Sequence, residues 1–296
     1  MSPRRRLEGV AWMLMGSAFL SIMSALTRFA REDVGTSEVI FVRAVVVALV
    51  SGALLRAQGH ALWPGAPRLL ALRSLMGLTA MYAYFWALGE IPLGMATTLL
   101  QTSPLFIALL SGRLLGESAS RGMWLWTAAA FVGVALIVRP TQGLEWGAVM
   151  ALVAGLTSAL AYLAVRGLRQ SDPPARIVFW FAVLSALVSA PLSLEALVQT
   201  PRAPSLWAAM VGVGVFGALG QLSSTQAYRL EKANVVGPFA YATVAISYLL
   251  GLVFWGEFLS GWGTLGIALV VASGVMLSRA ADAQEPKKEP DQPAEP

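Results

Sequence analysis

Apolar residues run along this chain in blocks of about twenty, and the stretches between blocks hold most of the charges and helix breakers. A block of that length matches the ~30 Å hydrocarbon core of a bilayer. Backbone groups inside lipid must bond one another, so each block reads as a helix. The pattern predicts ten helices, at 9–30, 37–55, 68–88, 92–112, 121–138, 145–165, 175–195, 205–228, 235–255 and 261–279. The gaps carry turn and breaker residues, such as Arg31-Glu32-Asp33, Pro64-Gly65-Ala66-Pro67, Gly89-Glu90-Ile91-Pro92, Asp172-Pro173-Pro174 and Pro201-Arg202-Ala203-Pro204. None is long enough to hold a soluble domain. The fold class is therefore all-α and integral to a membrane.

Composition agrees: 57% of the 296 residues are hydrophobic and 12% charged, against roughly 25% charged in soluble proteins. Residues 1–8 read as a cytoplasmic N-terminus. The apolar run after Arg4-Arg5-Arg6 is too long for a signal-peptide core, so it reads as a retained first span. Residues 280–296 hold Pro286, Pro290, Pro293 and Pro296 among Glu, Asp and Lys, and read as a disordered cytoplasmic tail. With the N-terminus inside, sixteen Lys and Arg fall on the cytoplasmic side and five on the other. That positive-inside bias predicts a multi-pass protein of the cell membrane, a bacterial inner membrane, with both termini cytoplasmic. The basic balance needs no nucleic-acid partner, and a homodimer is left open. Without cysteine, and with His60 alone in a polar connector, no metal site or cofactor is expected.

The sequence repeats weakly on itself at an offset of 138–140. Ser24 to Arg31 lies against Tyr162 to Arg169 with both arginines in register, and Leu115-Gly116-Glu117 against Trp255-Gly256-Glu257. Five helices per half is odd, so the second copy lies inverted relative to the first, an architecture common in secondary transporters. In these features the chain resembles the drug/metabolite transporter superfamily, specifically its EamA-type members. The resemblance is densest in Arg73-Ser74-Leu75-Met76-Gly77-Leu78, Tyr84-Phe85-Trp86-Ala87-Leu88-Gly89-Glu90-Ile91-Pro92-Leu93, Thr102-Ser103-Pro104-Leu105-Phe106 and Leu115-Gly116-Glu117, with Arg43 in the second helix. It covers two EamA-like five-helix repeats, 9–138 and 145–279. The second departs from the first, with Val244 opposite Pro104 and Lys232 opposite Pro92. The resemblance implies alternating access through a cavity between the repeats, without fixing a substrate. Members carry amino acids, riboflavin, S-adenosylmethionine-like compounds, nucleotide sugars and drugs.

Polar groups inside the spans are the candidates for a substrate site, because facing lipid they are costly. Ser17, Ser21, Ser24 and Arg28 share one face of the first helix; Gln221, Ser224, Thr225 and Tyr228 share one of the eighth. Thr97, Thr98, Gln101 and Thr102 lie mid-span in the fourth helix, and the repeat sets Tyr241 opposite Gln101. With Tyr84, Tyr162 and Arg43, the candidate set is Gln101, Tyr241, Gln221, Ser224, Tyr84, Thr98, Ser21, Tyr162 and Arg43. Small hydroxyls also bond their own helix or let helices pack closely, and Arg43 could instead snorkel outward. Arg73, nearer its helix start, reads as a snorkelling residue. Pro104 and Pro238 interrupt helix hydrogen bonding and read as kinks or hinges. No Asp or Glu lies mid-span, which favours uniport or exchange over proton coupling. An enzyme would need a cluster of acids, His or Cys at one depth, and a channel a filter or charged ring; neither is visible. The expected function is a secondary transporter, an exporter or exchanger, of a small metabolite. An amino acid or related zwitterion comes first, and a nucleoside-derived or flavin-like metabolite second.

Overall fold

A computed structural model describes residues 3–103, 106, 110, 121–138, 145–168, 171–230, 237–258 and 260–282. Among them are ten α-helices and no strand: α1 Pro3–Arg31, α2 Thr36–Ala57, α3 Pro67–Glu90, α4 Leu93–Leu100, α5 Arg121–Val138, α6 Trp146–Leu168, α7 Pro174–Gln199, α8 Pro204–Leu230, α9 Ala242–Trp255 and α10 Gly261–Asp282. A 3-10 turn, Gly237–Tyr241, precedes α9. Proline opens α3, α7 and α8, where its missing N–H costs no helix bond. The first helix starts at Pro3 rather than residue 9, and the last runs to Asp282, past the 279 expected. Both ends are polar, and helix hydrogen bonding continues beyond the apolar block. The tail at 283–296 lies outside the described residues. By length and composition α1, α2, α6, α7 and α8 each contain a segment able to cross a membrane.

Helix pairing repeats with a shift of five. α1 packs on α8 as α3 packs on α6, α2 on α8 as α3 on α7, and α1 on α9 as α4 on α6. The pairs α2–α7, α4–α9 and α5–α10 are their own counterparts. The most extensive contacts between halves thus have mirrors in the other half, as two inverted five-helix repeats require.

The connectors obey the same exchange. Where α1 meets α2, Glu38 is ion-paired with Arg202 from the α7–α8 connector, and Arg202 also donates to the carbonyls of Ala196 and Thr200. On the opposite face, Asp172 between α6 and α7 holds the α2–α3 connector. Its carboxylate accepts the N–H groups of Gly65 (2.9 Å) and Ala66 (3.3 Å), the Ser171 hydroxyl and Arg176. Arg176 and Trp180 in turn donate to the carbonyls of Ala61 and Leu62.

Burial alone would raise the Asp172 carboxyl, but the donors from Gly65, Ser171, Arg176 and Ala66 outweigh it and hold the group below its ordinary 3.8. A depressed folded-state value stabilises the fold above the unfolded value, and that stabilisation disappears as pH falls through the folded one. Unfolding temperature is therefore expected to drop in acid below about pH 4, and Asp172→Asn to flatten that drop. Parallel pH slopes for the two proteins in thermal unfolding would refute this.

Close helix approach rests on glycine. A Cβ on Gly16 of α1 would lie 2.6 Å from Ser224 Oγ, and one on Gly220 of α8 2.7 Å from Leu20 Cγ. Between α5 and α10, a Cβ on Gly133 would lie 2.8 Å from the Gly266 carbonyl oxygen. Lipid gives helices no hydrophobic drive to associate, so contact of this kind supplies much of the adhesion.

Candidate functional site

The fourth helix of each half departs from α geometry at one repeat register. A continuous helix over 92–112 was expected, yet α4 stops at Leu100 and Gln101–Thr102 form a turn. The Thr102 N–H and hydroxyl both bond the Leu99 carbonyl, at 3.2 and 2.6 Å, tightening the ladder just before Pro104. Pro104 itself lies outside the described residues. In the second half a continuous helix over 235–255 was expected, but the backbone is 3-10 through Tyr241 and becomes α from Ala242. Pro238 therefore lies in the entering turn and not within the α-helix. At the offset of 140, Gln101 and Tyr241 occupy equivalent places at the two breaks.

The serine face of α1 covers the second break. Ser17 donates to the carbonyls of Phe239 (3.3 Å) and Ala240 (3.5 Å), and Ser21 to that of Thr243 (3.1 Å) and of Ser17 in its own helix (2.9 Å). Irregular backbone at membrane depth needs such partners. One turn on, Ser24 Oγ lies 2.9 Å from the Tyr84 hydroxyl, which lies 3.0 Å from Thr97 Oγ1. This buried chain ties α1, α3 and α4 together. Thr98 donates at 2.6 Å to Gly94 in its own helix. Ser21, Tyr84 and Thr97 are thus gathered on and around α1.

The remaining candidates are dispersed. Ser224 faces Gly16 in the α1–α8 contact, Gln221 is half-buried on α8, and the Tyr241 hydroxyl lies against Gly274 of α10. Tyr162 on α6 is 59% exposed. Arg43 is 4% exposed and turned inward. Its Nη1 lies 3.1 Å from Met81 Sδ, and its guanidinium lies 6.0 Å from the Phe85 ring centre. Arg73 does not snorkel: its guanidinium lies 4.3 Å from the Phe181 ring centre, with Nε and Nη1 shut away from the surface.

At the face where α1 ends, Arg28 forms an ion pair with Glu257 and donates to the carbonyls of Leu88 and Ile91. Glu257 also accepts the Leu93 N–H at 2.8 Å. Its position follows from the helix end. Gly256 adopts φ 61°, and the N–H groups of Gly256 and Glu257 close on the Leu252 and Gly251 carbonyls. The left-handed turn, which glycine adopts without a Cβ penalty, folds the carboxylate back over the bundle. Glu257 thus joins the two halves; Glu117, its counterpart in the repeat, lies outside the described residues.

A family model described as the EamA-like transporter family matches the chain twice, over residues 7–139 and 145–279. The chain belongs to the EamA-like transporter family. Its relatives include the pseudopaline exporter CntI of Pseudomonas aeruginosa, 30% identical over 92% of this chain and 96% of that protein. A riboflavin transporter of Rhizobium johnstonii is 26% identical over 94% and 93%. An S-adenosylmethionine uptake transporter of Rickettsia prowazekii is 22% identical over 85% and 86%. A crystal structure 22% identical in sequence superposes with a TM-score of 0.64, covering 93% of this chain and 99% of that one, and supports the fold. This EamA-like protein is a multi-pass membrane transporter of a small molecule, not an enzyme.

Three elements of the site were not read from the sequence: the inward Arg73 with Phe181, the Ser24–Tyr84–Thr97 chain as a unit, and the Arg28–Glu257 contact. The Gly-Glu repeat marked Glu257, but nothing in the linear pattern named its partner.

Proposed function

We propose that this EamA-like transporter is a bacterial inner-membrane carrier, with both termini cytoplasmic, exporting or exchanging an amino acid or related zwitterion by alternating access. The observation that carries the reading is the pair of departures from α geometry at Gln101 and Tyr241, at one register of two inverted repeats. Discontinuous helices at a repeat interface are where such carriers place substrate. Hydroxyls and aromatic rings nearby suit an amino-acid skeleton, and the 30% identical relative is named as an exporter. The relatives named for riboflavin and S-adenosylmethionine favour the second reading, a flavin-like or nucleoside-derived substrate.

The test is counterflow into proteoliposomes preloaded in turn with amino acids, riboflavin, S-adenosylmethionine and nucleotide sugars, each against its labelled form. Accumulation is expected for amino-acid-like compounds. Gln101→Ala and Tyr241→Phe are each expected to raise the half-saturating concentration roughly 3- to 10-fold, the value of one hydrogen bond. Wild-type rate and affinity in both variants would remove these residues from the site. Accumulation of riboflavin or S-adenosylmethionine alone would select the second reading.

A further inference from the structure

We infer that Arg43 and Arg73 together bind a small molecule bearing two or more negative charges, carboxylates or phosphates, near the middle of the bundle. The inference rests on the transporter reading and, among the substrate classes weighed there, selects members that carry a net negative charge.

Three arginines among the described residues are paired with carboxylates, and Arg31 donates to the Val34 carbonyl. Arg28 has Glu257, Arg176 has Asp172 and Arg202 has Glu38. Among the described residues, no carboxylate or carbonyl accepts from Arg43 or Arg73. Arg43 has only the Met81 thioether, a weak acceptor, and its Nε is unpartnered. Arg73 has only the Phe181 ring, with Nε and Nη1 unpartnered. An aromatic face offsets less than the burial of an unpaired guanidinium costs. Like charges held in one low-dielectric interior repel, so each guanidinium makes the other harder to keep.

Position explains what they would hold. Arg43 reaches α3 at Met81 and Phe85, and a Cβ on Gly217 of α8 would lie 3.2 Å from its Nε. Arg73 comes from the other end of α3 and reaches the level of Gly77. Four to eight residues of helix separate these levels, roughly 6–12 Å at 1.5 Å per residue. The guanidiniums therefore flank the midpoint of α3. One anionic group would leave a buried cation uncompensated, whereas two at that spacing neutralise both. Intramembrane ionisable residues of this kind mark substrate pathways.

The experiment is thermal unfolding of the full-length protein in detergent with citrate, L-glutamate or glycerol 3-phosphate, against glycine betaine and sodium chloride at matched ionic strength. At least one multivalent anion is expected to raise the Tm by about 5 °C at saturation, and betaine not to. A response confined to citrate and glutamate assigns carboxylates; one confined to glycerol 3-phosphate assigns phosphate. Arg43→Met and Arg73→Met are each expected to abolish the shift while leaving the ligand-free Tm at or above wild type, since each removes an uncompensated charge. Arg43→Lys keeps the charge and is expected to retain part of the shift. No anion-specific shift in wild type, or methionine variants that lower the ligand-free Tm and keep the shift, would overturn the inference. Counterflow of neutral zwitterions unchanged by either variant would sink the anion site and leave the transporter reading standing. Anion binding without counterflow of any substrate would do the reverse.

Discussion

Glu257→Gln should lower the unfolding temperature by about 5 °C or more and open the face of the bundle that Glu257 closes. The substitution keeps an acceptor for the Leu93 N–H but leaves the Arg28 guanidinium without its counter-charge. Losing one partner costs about 3–5 kcal/mol in a fully buried pair and about 0–1 kcal/mol in an exposed one. The side chains of Arg28 and Glu257 keep 18% and 11% exposure, so about 2–3 kcal/mol is expected, at roughly 2–4 °C per kcal/mol. Arg28 would keep its carbonyl partners Leu88 and Ile91 and the Trp255 ring at 5.4 Å, so the end of α1 should stay folded. What is lost is the tie from α1 and the α3–α4 connector to the end of α9. Since the chain has no cysteine, a single Ile91→Cys substitution supplies a specific probe at a buried position. A membrane-impermeant maleimide should label it faster when Glu257→Gln is also present. Arg28→Met combined with Glu257→Gln should recover part of the lost stability, because no charge is then stranded. Additive losses in the double variant, with unchanged labelling, would show that the pair is not coupled.

Gly16→Ala should destabilise the fold by about 2 kcal/mol, although alanine is the better helix former by about 1 kcal/mol in water. The new Cβ would lie 2.6 Å from Ser224 Oγ, 3.1 Å from Ser224 N and 3.3 Å from the Gly220 carbonyl oxygen. The Ser224 hydroxyl can turn aside, but the two backbone atoms at 3.1 and 3.3 Å cannot, so α1 must still give a few tenths of an ångström off α8. Overpacking of this kind typically costs about 1–3 kcal/mol. Moving α1 also pulls Ser17 and Ser21 from the carbonyls around the second helix break, so transport should fall with stability. Ser224→Gly should rescue the variant in part by removing the nearest atom. Gly261→Ala is the control, since nothing lies within 4 Å of its Cβ position. Equal thermal unfolding of the Gly16 and Gly261 variants would show that this contact does not limit helix approach.

How far the site was legible depends on whether a residue's role is local. The serine face on α1 could be read because 3.6-residue periodicity places Ser17, Ser21 and Ser24 together. Its use, capping the carbonyls of Phe239, Ala240 and Thr243, could not, because those acceptors are more than two hundred residues away. The repeat set Gln101 opposite Tyr241, yet the departures from α geometry at that register emerge only from backbone hydrogen bonding. Arg73 shows the same limit. Two turns into an apolar helix, an arginine can extend outward or turn inward, and Phe181 on a helix a hundred residues on settles which.

By itself the sequence determined that the chain is helical, spans a membrane and repeats in two inverted halves. Those properties depend on block length, hydropathy and period, all local to each segment. Only the tertiary structure decided which charges are neutralised. Arg28, Arg176 and Arg202 meet carboxylates brought from connectors or helix ends, whereas Arg43 and Arg73 meet aromatic rings and a thioether. Electrostatic pairing falls off over a few ångströms, and residues that distant in sequence reach such range only once the helices have packed.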